Sequence, residues 1–287
     1  MKLSFRGFWP EFNPRTHSAF NWIIDEFGFV LSDEDPDIVV FGSWSPLPKY
    51  NEDFVKVYFT GERIVPDLSV YDFSFSFENL ENHRNFRFPL YLWHHDNYFG
   101  LKYREKKNWA KEKKKFCNFL YGNNNFSYKG VNSRIQFFSE LQKYKRVDSG
   151  GGTLNNMGFR VGDKLEFLKE YKFTIAFEND IQPGYTTEKL IDPFLSGSLP
   201  IYAGNPLVEL DFNVKSFIFV NEFSGIDSVI RRIIEIDNND DLYNDIMNRD
   251  ILLDPLPEWS SKEWYISCWE QIIQKTNENR TKSNSYQ

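Results

Sequence analysis

The amino-acid sequence predicts an α/β protein built from two doubly wound parallel sheets. The chain has 287 residues, and a typical domain has about 150, so two domains are expected. Short apolar runs that end in glycine, such as residues 37–42 and 56–61, are typical of buried parallel strands. Segments with helical spacing of apolar residues lie between such runs in both halves of the chain, and this alternation favours a doubly wound fold in each half.

The first half supplies the elements of one sheet. Residues 3–8 alternate loosely between apolar and polar and predict a strand. Residues 17–27 space their apolar side chains as a helix does. The runs 37–42 and 56–61 predict two buried strands, and residues 87–91 predict a weaker one.

A basic run interrupts the alternation at residues 102–115, where eight lysine or arginine residues stand against two glutamates. Such a run is usually a solvated linker or helix face, and contact with an anionic membrane surface or substrate is the alternative. We place the domain boundary and a hinge here. The division gives an N-terminal domain at residues 1–112, a C-terminal domain at residues 113–258, and a C-terminal helix with a polar tail at residues 259–287.

The second half repeats the alternation. Apolar runs predict strands at residues 116–121, 172–177, 199–204 and 217–220. Helical spacing predicts helices at residues 131–144, 226–236 and 259–273. Residues 148–152 are predicted as a flexible turn. Asp163 is expected to cap a short helix with Glu166 in the capping box, and the polar tail after Lys275 is expected to fray.

Composition excludes several classes of protein. Charged residues make up 26% of the chain, close to the soluble average of about 25%, so wholesale disorder is not expected. Lys and Arg number 34 against 41 Asp and Glu, and the net charge of −7 disfavours a nucleic-acid binder. Cys117 and Cys268 lack metal or redox spacing and are interpreted as free thiols. No apolar stretch resembles a signal peptide or a membrane span, so a cytoplasmic location is expected.

Two segments directly after predicted strands are candidate ligand sites, because open α/β sheets bind ligands beyond the carboxyl ends of their strands. One is residues 60–63 and the other is residues 177–189. The second joins a glycine-containing loop to a helix start with Lys189 in the first turn, where free N–H groups and the lysine attract phosphate. An ordinary capped helix is the alternative interpretation, and Pro193 is expected to disturb this helix because it lacks a backbone donor.

The second segment belongs to a longer pattern. Phe-Glu-Asn-Asp at 177–180, Gly-Tyr-Thr-Thr-Glu-Lys-Leu at 184–190 and Leu-Pro-Ile-Tyr-Ala-Gly at 199–204 follow each other as they do in alpha-1,3/4-fucosyltransferases, and the sequence resembles the bacterial branch of that family. Val-Tyr-Phe-Thr-Gly-Glu at 57–62 and the glycine-rich stretch at 150–164 are also similar. The resemblance runs from about residue 55 to about residue 222, with the blocks in the same order and spacing.

The resemblance implies a GT-B architecture, in which two Rossmann-like doubly wound domains face a cleft. The first domain would bind the acceptor and the second would bind GDP-fucose. The implied reaction is inverting transfer of L-fucose from GDP-fucose to a GlcNAc hydroxyl of a lactosamine-type glycan, with an alpha-1,3 linkage expected. A related transferase for another nucleotide sugar and a catalytically silent glycan-binding protein remain the alternatives.

The resemblance also implies roles for individual residues. Carried over by position, Glu62 is the general base, Glu188 faces the sugar ring or bonds its hydroxyls, and Arg134 and Lys189 bind the diphosphate. Lone arginines on helices are mostly solvated, which weakens the assignment of Arg134. Further donor contacts are expected at Glu178, Asn179, Tyr185 and Gly151. The first two of these either bind sugar hydroxyls or brace the loop.

Aromatic side chains, 18% of the chain, fill cores and also stack on sugars. The expected acceptor contacts are Trp9, Trp44, Arg63, Trp93 and His94, with Phe12 and Tyr50 as further candidates. Arg63 and Asp180 depart from the family's Asn and Ser, which puts the choice of acceptor in doubt. The expected partners are GDP-fucose and an oligosaccharide or lipopolysaccharide acceptor, with no nucleic acid and with peripheral contact at the inner face of the membrane through the basic run.

No metal site is evident in the sequence. The Asp-x-Asp spacings at residues 33–37 precede a strand instead of following one, and they are interpreted as turn residues. His94 and His95 would point to opposite faces of a strand, so they cannot share an ion. We therefore expect no required cofactor, with a divalent cation as a stimulant at most.

Overall fold

The computed structural model describes residues 1–48, 52–79 and 82–285, except for the side chains at 94, 95 and 282–285. The chain forms two compact units. Unit 1 comprises Met1–Asp96 and Leu256–Gln287, and unit 2 comprises Asn97–Pro255. Unit 1 is therefore assembled from both ends of the chain.

Unit 1 holds a six-stranded parallel sheet. Its strands are β1 (Lys2–Arg6), β2 (Val30–Leu31), β3 (Ile38–Phe41), β4 (Val55–Phe59), β5 (Phe73–Ser76) and β6 (Asn85–Arg87). The order across the sheet is β2-β1-β3-β4-β5-β6. Helix α1 (Ser18–Phe27) follows β1, and α2 (His95–Gly100) crosses the division between the units.

Unit 2 holds a five-stranded parallel sheet. Its strands are β7 (Lys115–Phe119), β8 (Val147–Ser149), β9 (Tyr171–Phe177), β10 (Leu199–Ala203) and β11 (Ile218–Phe219), in the order β11-β10-β9-β7-β8. Its helices are α3 (Lys129–Leu141), α4 (Lys164–Lys169), α5 (Glu188–Leu195), α6 (Ile226–Asp237) and α7 (Asp240–Met247). The long helix α8 (Lys262–Ser285) belongs to unit 1.

The two sheets share one topology. In each, the first strand in sequence lies between the second and the third, so the strand order reverses between β1 and β3 in unit 1 and between β7 and β9 in unit 2. At such a reversal the connections leave in opposite directions, and a crevice opens at the carboxyl ends of the two strands. The fold thus places one ligand crevice in each unit.

The core of unit 1 accounts for much of the aromatic content. Helix α8 packs its rings on the sheet, with Trp269 stacked 5.6 Å from Phe75 and Tyr265 stacked 4.8 Å from Phe88. Aromatic rings also meet between α1 and β4, where Phe20 and Phe59 lie 4.6 Å apart. Such pairs add to stability beyond the area they bury.

The predicted strands at 3–8, 37–42, 116–121, 172–177 and 199–204 are confirmed within one to two residues, as are the helices at 17–27 and 226–236. The helix predicted at 131–144 is confirmed too, but it ends three residues earlier, at Leu141. Asp163 caps α4 by accepting a hydrogen bond from the Glu166 backbone N–H, as predicted. The sequence analysis missed β2, β5, β8, α2 and α7.

Three expectations need correction. The strand predicted at 87–91 ends at Arg87 as β6, and a 3₁₀ helix at Leu90–His94 follows. His94 and His95 therefore do not lie in a strand, and the argument about opposite strand faces does not apply to them. The tail after Lys275 is helical as far as Ser285, because its residues continue α8 instead of fraying.

The unit division also differs from the predicted boundary. The structure divides the chain after Asp96 instead of after residue 112, so residues 102–115 lie wholly inside unit 2. There the Arg104 guanidinium lies 4.2 Å from the ring centroid of Trp109, and the Lys107 ammonium lies 4.4 Å from it. Burial lowers the pKa of Lys113 to about 8. The basic run is therefore partly packed and is not a solvated linker between the units.

Candidate functional site

The crevice of unit 2 is a cavity of about 250 Å³ at the switch between β7 and β9, with a mixed polar and apolar lining. The polar and charged side chains in its lining are Asn123, Lys164, Thr174, Asn179, Glu188 and Lys189. The other lining residues are Leu120, Tyr121, Gly122, Leu168, Ile175, Ala176 and Pro193. The sequence analysis named Asn179, Glu188 and Lys189 as donor contacts.

Lys189 is the central cation of this crevice. Its Nζ lies 3.1 Å from Thr187 Oγ1, 3.2 Å from Glu188 Oε1 and 3.5 Å from Glu178 Oε2. Burial disfavours the ammonium form, but the two carboxylates outweigh that effect and raise the pKa of Lys189. The lysine is therefore charged at every physiological pH, as a diphosphate ligand must be.

Glu178 is fully buried beneath the start of α5. Its Oε1 accepts a hydrogen bond of 2.8 Å from the Thr187 backbone N–H, and both its oxygens lie within 3.0 Å of Thr187 Oγ1. Burial raises the pKa of Glu178 despite the nearby lysine. Of the two alternatives for this residue, the structure favours bracing, because no carboxylate surface is left for a ligand. Gly204 makes room for it, since a Cβ there would lie 2.4 Å from Glu178 Cγ.

Arg134 differs from the sequence-based expectation of a solvated arginine. It is fully buried on α3, and its Cζ lies 4.0 Å from the ring centroid of Tyr121. Its Nη1 donates a hydrogen bond of 2.9 Å to Asn179 Oδ1, and its Nη2 donates to the carbonyl oxygen of Asn123. Burial lowers the pKa of Arg134. Arg134 therefore ties the loop after β7 to the loop after β9, and both loops line the cavity.

Three other expected donor residues lie in the same unit. Glu188 is the first residue of α5, and although burial disfavours its charge, Lys189 and Lys164 lower its pKa. Tyr185 is buried in the loop before α5. Gly151 allows a close approach, since a Cβ there would lie 2.4 Å from the Tyr121 carbonyl oxygen. That contact fixes the loop after β8 against the loop after β7.

The crevice of unit 1 is an aromatic cavity of about 230 Å³ at the switch between β1 and β3. Its lining residues are Phe8, Trp9, His17, Gly42, Ser43, Trp44, Phe59, Gly61, Glu62, Leu90 and Trp93. Trp44 is 62% exposed and Trp93 is 7% exposed. The Trp9 ring lies 6.5 Å from each of them. The three tryptophans that the sequence analysis selected are thus brought together.

Glu62 lies at this cavity in the turn after β4, with its side chain exposed. Its backbone N–H donates a hydrogen bond of 3.0 Å to Thr60 Oγ1, and the Thr60 hydroxyl lies 2.8 Å from Ser43 Oγ. Thr60 is fully buried. The Gly61 position is crowded, since a Cβ there would lie 2.4 Å from Leu90 Cδ1.

The remaining acceptor expectations are only partly placed. Arg63 is exposed beside Glu62. Phe12 stacks on Phe8 at 4.1 Å, next to the cavity wall. Tyr50 and the side chain of His94 lie outside the described part of the chain.

Sequence reasoning gave no role to Lys164 or Ser43, and it included Thr60 only as part of the candidate segment 60–63. Lys164 lines the unit 2 cavity and pairs with Asp192 at 2.5 Å. No sequence pattern around Lys164 predicts that it lies there. The hydroxyls of Thr60 and Ser43 each follow a strand that was predicted, and that position was the available signal. In the described residues no group of His, Cys, Asp or Glu side chains is arranged to hold a metal ion.

Comparison with known proteins identifies the family. Residues 109–287 match "Glycosyltransferase family 10 (fucosyltransferase) C-term", and residues 3–94 match "Alpha-(1,3)-fucosyltransferase FucT N-terminal domain". The chain belongs to glycosyltransferase family 10. The resemblance found in the sequence motifs is confirmed, and the matched segments cover both crevices.

Two curated relatives of this family 10 chain show how much is shared. It is 32% identical over 220 residues to alpha-(1,3)-fucosyltransferase FucT of Helicobacter pylori. The aligned segment covers 67% of this chain and 46% of that relative. It is 34% identical over 160 residues to putative fucosyltransferase R654 of Acanthamoeba polyphaga mimivirus. The aligned segment covers 52% of this chain and 26% of that relative. The matches thus span less than half of these relatives.

Solved structures confirm the predicted GT-B type of fold with two parallel-sheet α/β domains. A crystal structure of alpha1,3-fucosyltransferase with GDP-fucose matches with a TM-score of 0.80 and 25% identity, covering 95% of this chain and 90% of that chain. An alpha-glucosyltransferase in complex with UDP matches with a TM-score of 0.57 and 12% identity, covering 96% of this chain and 100% of that chain. The second likeness concerns the fold alone.

Proposed function

We propose that this family 10 chain transfers L-fucose from GDP-fucose to a GlcNAc hydroxyl of a lactosamine-type glycan, with inversion and with an alpha-1,3 linkage. The observation that carries the proposal is the ammonium of Lys189, held at the start of α5 between two carboxylates. A cation fixed at a helix N-terminus suits a diphosphate leaving group.

The donor is assigned to the crevice of unit 2. Lys189 and Arg134 offset the negative charge that develops on GDP as the bond between its phosphate oxygen and fucose C1 breaks. Asn179, Tyr185, Glu188 and Gly151 contact the donor or shape its loops. Glu178 acts through Lys189 and Thr187 instead of touching the donor.

The acceptor is assigned to the crevice of unit 1. The GlcNAc hydroxyl oxygen attacks fucose C1 on the face opposite GDP, and Glu62 takes the proton of that hydroxyl. The electron pair of the bond between C1 and the phosphate oxygen leaves with the diphosphate. Trp9, Trp44 and Trp93 offer rings for the C–H face of the sugar. Arg63 and His94 are the polar acceptor contacts in this proposal.

The acceptor is an oligosaccharide or a lipopolysaccharide, and the proposed location is the cytoplasm, with contact at the inner face of the membrane. The contact would be made by the exposed lysines of residues 102–115 that neither pack on Trp109 nor pair with Asp250, namely Lys102, Lys111 and Lys114. Among the described residues no helix combines the length and the hydrophobicity that a bilayer crossing requires. The proposed reaction needs no cofactor, and a divalent cation would only stimulate it.

The test is a turnover assay with GDP-fucose and a lactosamine acceptor, followed by linkage analysis of the product. Glu62→Gln should lower transfer by more than about 100-fold while GDP binding stays unchanged. Glu26→Gln is the matched control, because Glu26 is exposed on α1 of the same unit. Turnover with another nucleotide sugar instead would contradict the donor assignment. GDP binding without any transfer would indicate a silent glycan-binding protein.

A further inference from the structure

The loop after β8, residues 150–162, lies beside the crevice of unit 2 and contacts residues of its wall. The Thr153 backbone N–H donates a hydrogen bond of 2.9 Å to the Tyr121 carbonyl oxygen, and Thr153 Oγ1 donates to the carbonyl oxygen of Asn123 at 3.4 Å. Tyr121 and Asn123 line the cavity. The loop is therefore fastened to the wall of the proposed diphosphate site.

The three glycines at its start each permit one close contact. A Cβ on Gly150 would lie 2.5 Å from Val161 Cγ2, and a Cβ on Gly152 would lie 3.1 Å from Arg160 Nη1 and 3.2 Å from Arg160 Nη2. The guanidinium of Arg160 thus lies against the backbone of Gly152. A side chain at that position would have to push the guanidinium away.

One asparagine holds the rest of the loop in shape. Asn155 Nδ2 donates hydrogen bonds of 3.0 Å and 2.9 Å to the carbonyl oxygens of Gly151 and Phe159. Its Oδ1 accepts from the backbone N–H groups of Met157 and Gly158, each at 3.1 Å. The segment that presents Phe159 and Arg160 is consequently ordered before any ligand arrives, which lowers the entropic cost of binding.

Both side chains have unused binding capacity. The ring of Phe159 is 56% exposed. Arg160 is exposed, and within the described part of the chain its guanidinium makes no hydrogen bond or ion pair. Five N–H donors in a planar fork are thus available in the loop that is fastened to the crevice wall.

On the β10 side of the crevice, the polar side chain that follows the strand is occupied by hydrogen bonds within the protein. In the loop after β10, Asn205 is fully buried. Its Oδ1 accepts hydrogen bonds from the backbone N–H groups of Gly184 and Leu207, and its Nδ2 donates to Thr186 Oγ1. A nucleotide whose diphosphate lies between β7 and β9 must extend its base toward one side, and the β8 side carries the free aromatic ring and the free guanidinium.

We propose that Arg160 and Phe159 form the guanine site of the donor. Arg160 donates two hydrogen bonds to guanine O6 and N7, the bidentate geometry by which arginine distinguishes guanine from adenine. Phe159 stacks on the face of the base, which any base can accept. This assignment rests on the proposed GDP-fucose donor, and it makes Arg160 the residue that selects the nucleotide.

The experiment measures binding of GDP, IDP and ADP to the full chain by calorimetry. IDP keeps O6 and N7 and lacks only the 2-amino group, so it should bind within about threefold of GDP, whereas ADP should bind roughly 10- to 100-fold more weakly. Arg160→Gln should weaken GDP and IDP by a similar factor and should not weaken ADP, because a glutamine amide can pair with adenine N6 and N7. Phe159→Ala should weaken all three ligands by about the same factor, roughly 10-fold.

Arg231→Gln is the matched control, because Arg231 is an exposed arginine on α6 of the same unit, and it should bind all three ligands like the wild type. Unchanged GDP and ADP affinities in Arg160→Gln would overturn the inference while GDP-fucose turnover still supports the proposed function. IDP binding as weak as ADP binding would overturn it too, because the base would then be recognised at its 2-amino edge. No GDP binding by the wild type would instead overturn the proposed function.

Discussion

The two crevices of this molecule have the same strand topology and opposite chemistry. The crevice between β1 and β3 is walled by aromatic rings and carries one exposed carboxylate, Glu62. The crevice between β7 and β9 has amides and charged side chains around Lys189 together with aliphatic side chains such as Leu120 and Leu168. The strand order therefore locates a candidate ligand site in each unit, and the residues that follow the strands decide which ligand it suits.

The crevices also differ in how their functional groups are held. Lys189 is fixed through its side chain by Glu178 and Glu188. Among the described residues, Glu62 is held through its backbone: its N–H donates to the buried hydroxyl of Thr60, and its carbonyl oxygen accepts from the Ile64 N–H. Removing a carboxylate partner of Lys189 in unit 2 should therefore leave a buried charge without its counterion. Removing the Thr60 hydroxyl in unit 1 should only loosen the turn that carries Glu62.

The largest effect is expected from Glu178→Ala. The substitution removes the acceptor of the Thr187 N–H and one partner of Lys189, and breaking a buried ion pair in this way costs about 3 kcal/mol. Thermal unfolding should show a Tm lower by several degrees, and calorimetry should show weakened GDP binding. Glu235→Ala, an exposed position on α6, is the control. A wild-type Tm together with wild-type GDP affinity would mean that the start of α5 does not depend on the contacts of Glu178 with Thr187 and Lys189.

Parts of the fold were beyond the reach of sequence patterns for physical reasons. Strand β5 alternates Phe with Ser, yet Ser74 and Ser76 are buried because Asn85 Oδ1 accepts hydrogen bonds from both hydroxyls. Strand β2 has only two residues and both are exposed. The polar end of α8 stays helical because Thr276 is buried and Arg280 pairs with Asp37. Each case depends on a partner distant in the sequence.

The candidate site divides in the same way. Glu62, Asn179 and Lys189 could be found because each follows a strand that its own apolar run predicts. The bracing role of Glu178 and the burial of Arg134 could not, because they arise from contacts between loops that only folding brings together. Position along the chain predicts which residues reach a crevice, and packing decides how each one acts there.

A smaller effect is expected from Thr60→Val. Valine keeps the shape of threonine but cannot accept the Glu62 N–H or bond to Ser43 Oγ, so the carboxylate should lose its fixed position. A displacement of about 1 Å at a reacting group can cost up to about 100-fold in rate, and we expect kcat to fall about 10-fold while GDP affinity stays unchanged. Thr60→Ser keeps the hydroxyl and should restore most of the rate. Equal rates for the valine and serine variants would show that the hydroxyl does not position Glu62.

The smallest effect is expected from Trp44→Ala. Because this ring is 62% exposed, its removal leaves no cavity in the core, and Tm should not change. Loss of one stacking surface for a sugar costs about 1 kcal/mol, so the KM for the acceptor should rise about fivefold while kcat and GDP affinity stay constant. Leu47→Ala is the matched control, since Leu47 is similarly exposed three residues further on and does not line the cavity. An unchanged acceptor KM in Trp44→Ala would show that the acceptor does not stack on this ring. A change in GDP affinity would contradict the assignment of the acceptor to the unit 1 crevice and of the donor to the unit 2 crevice.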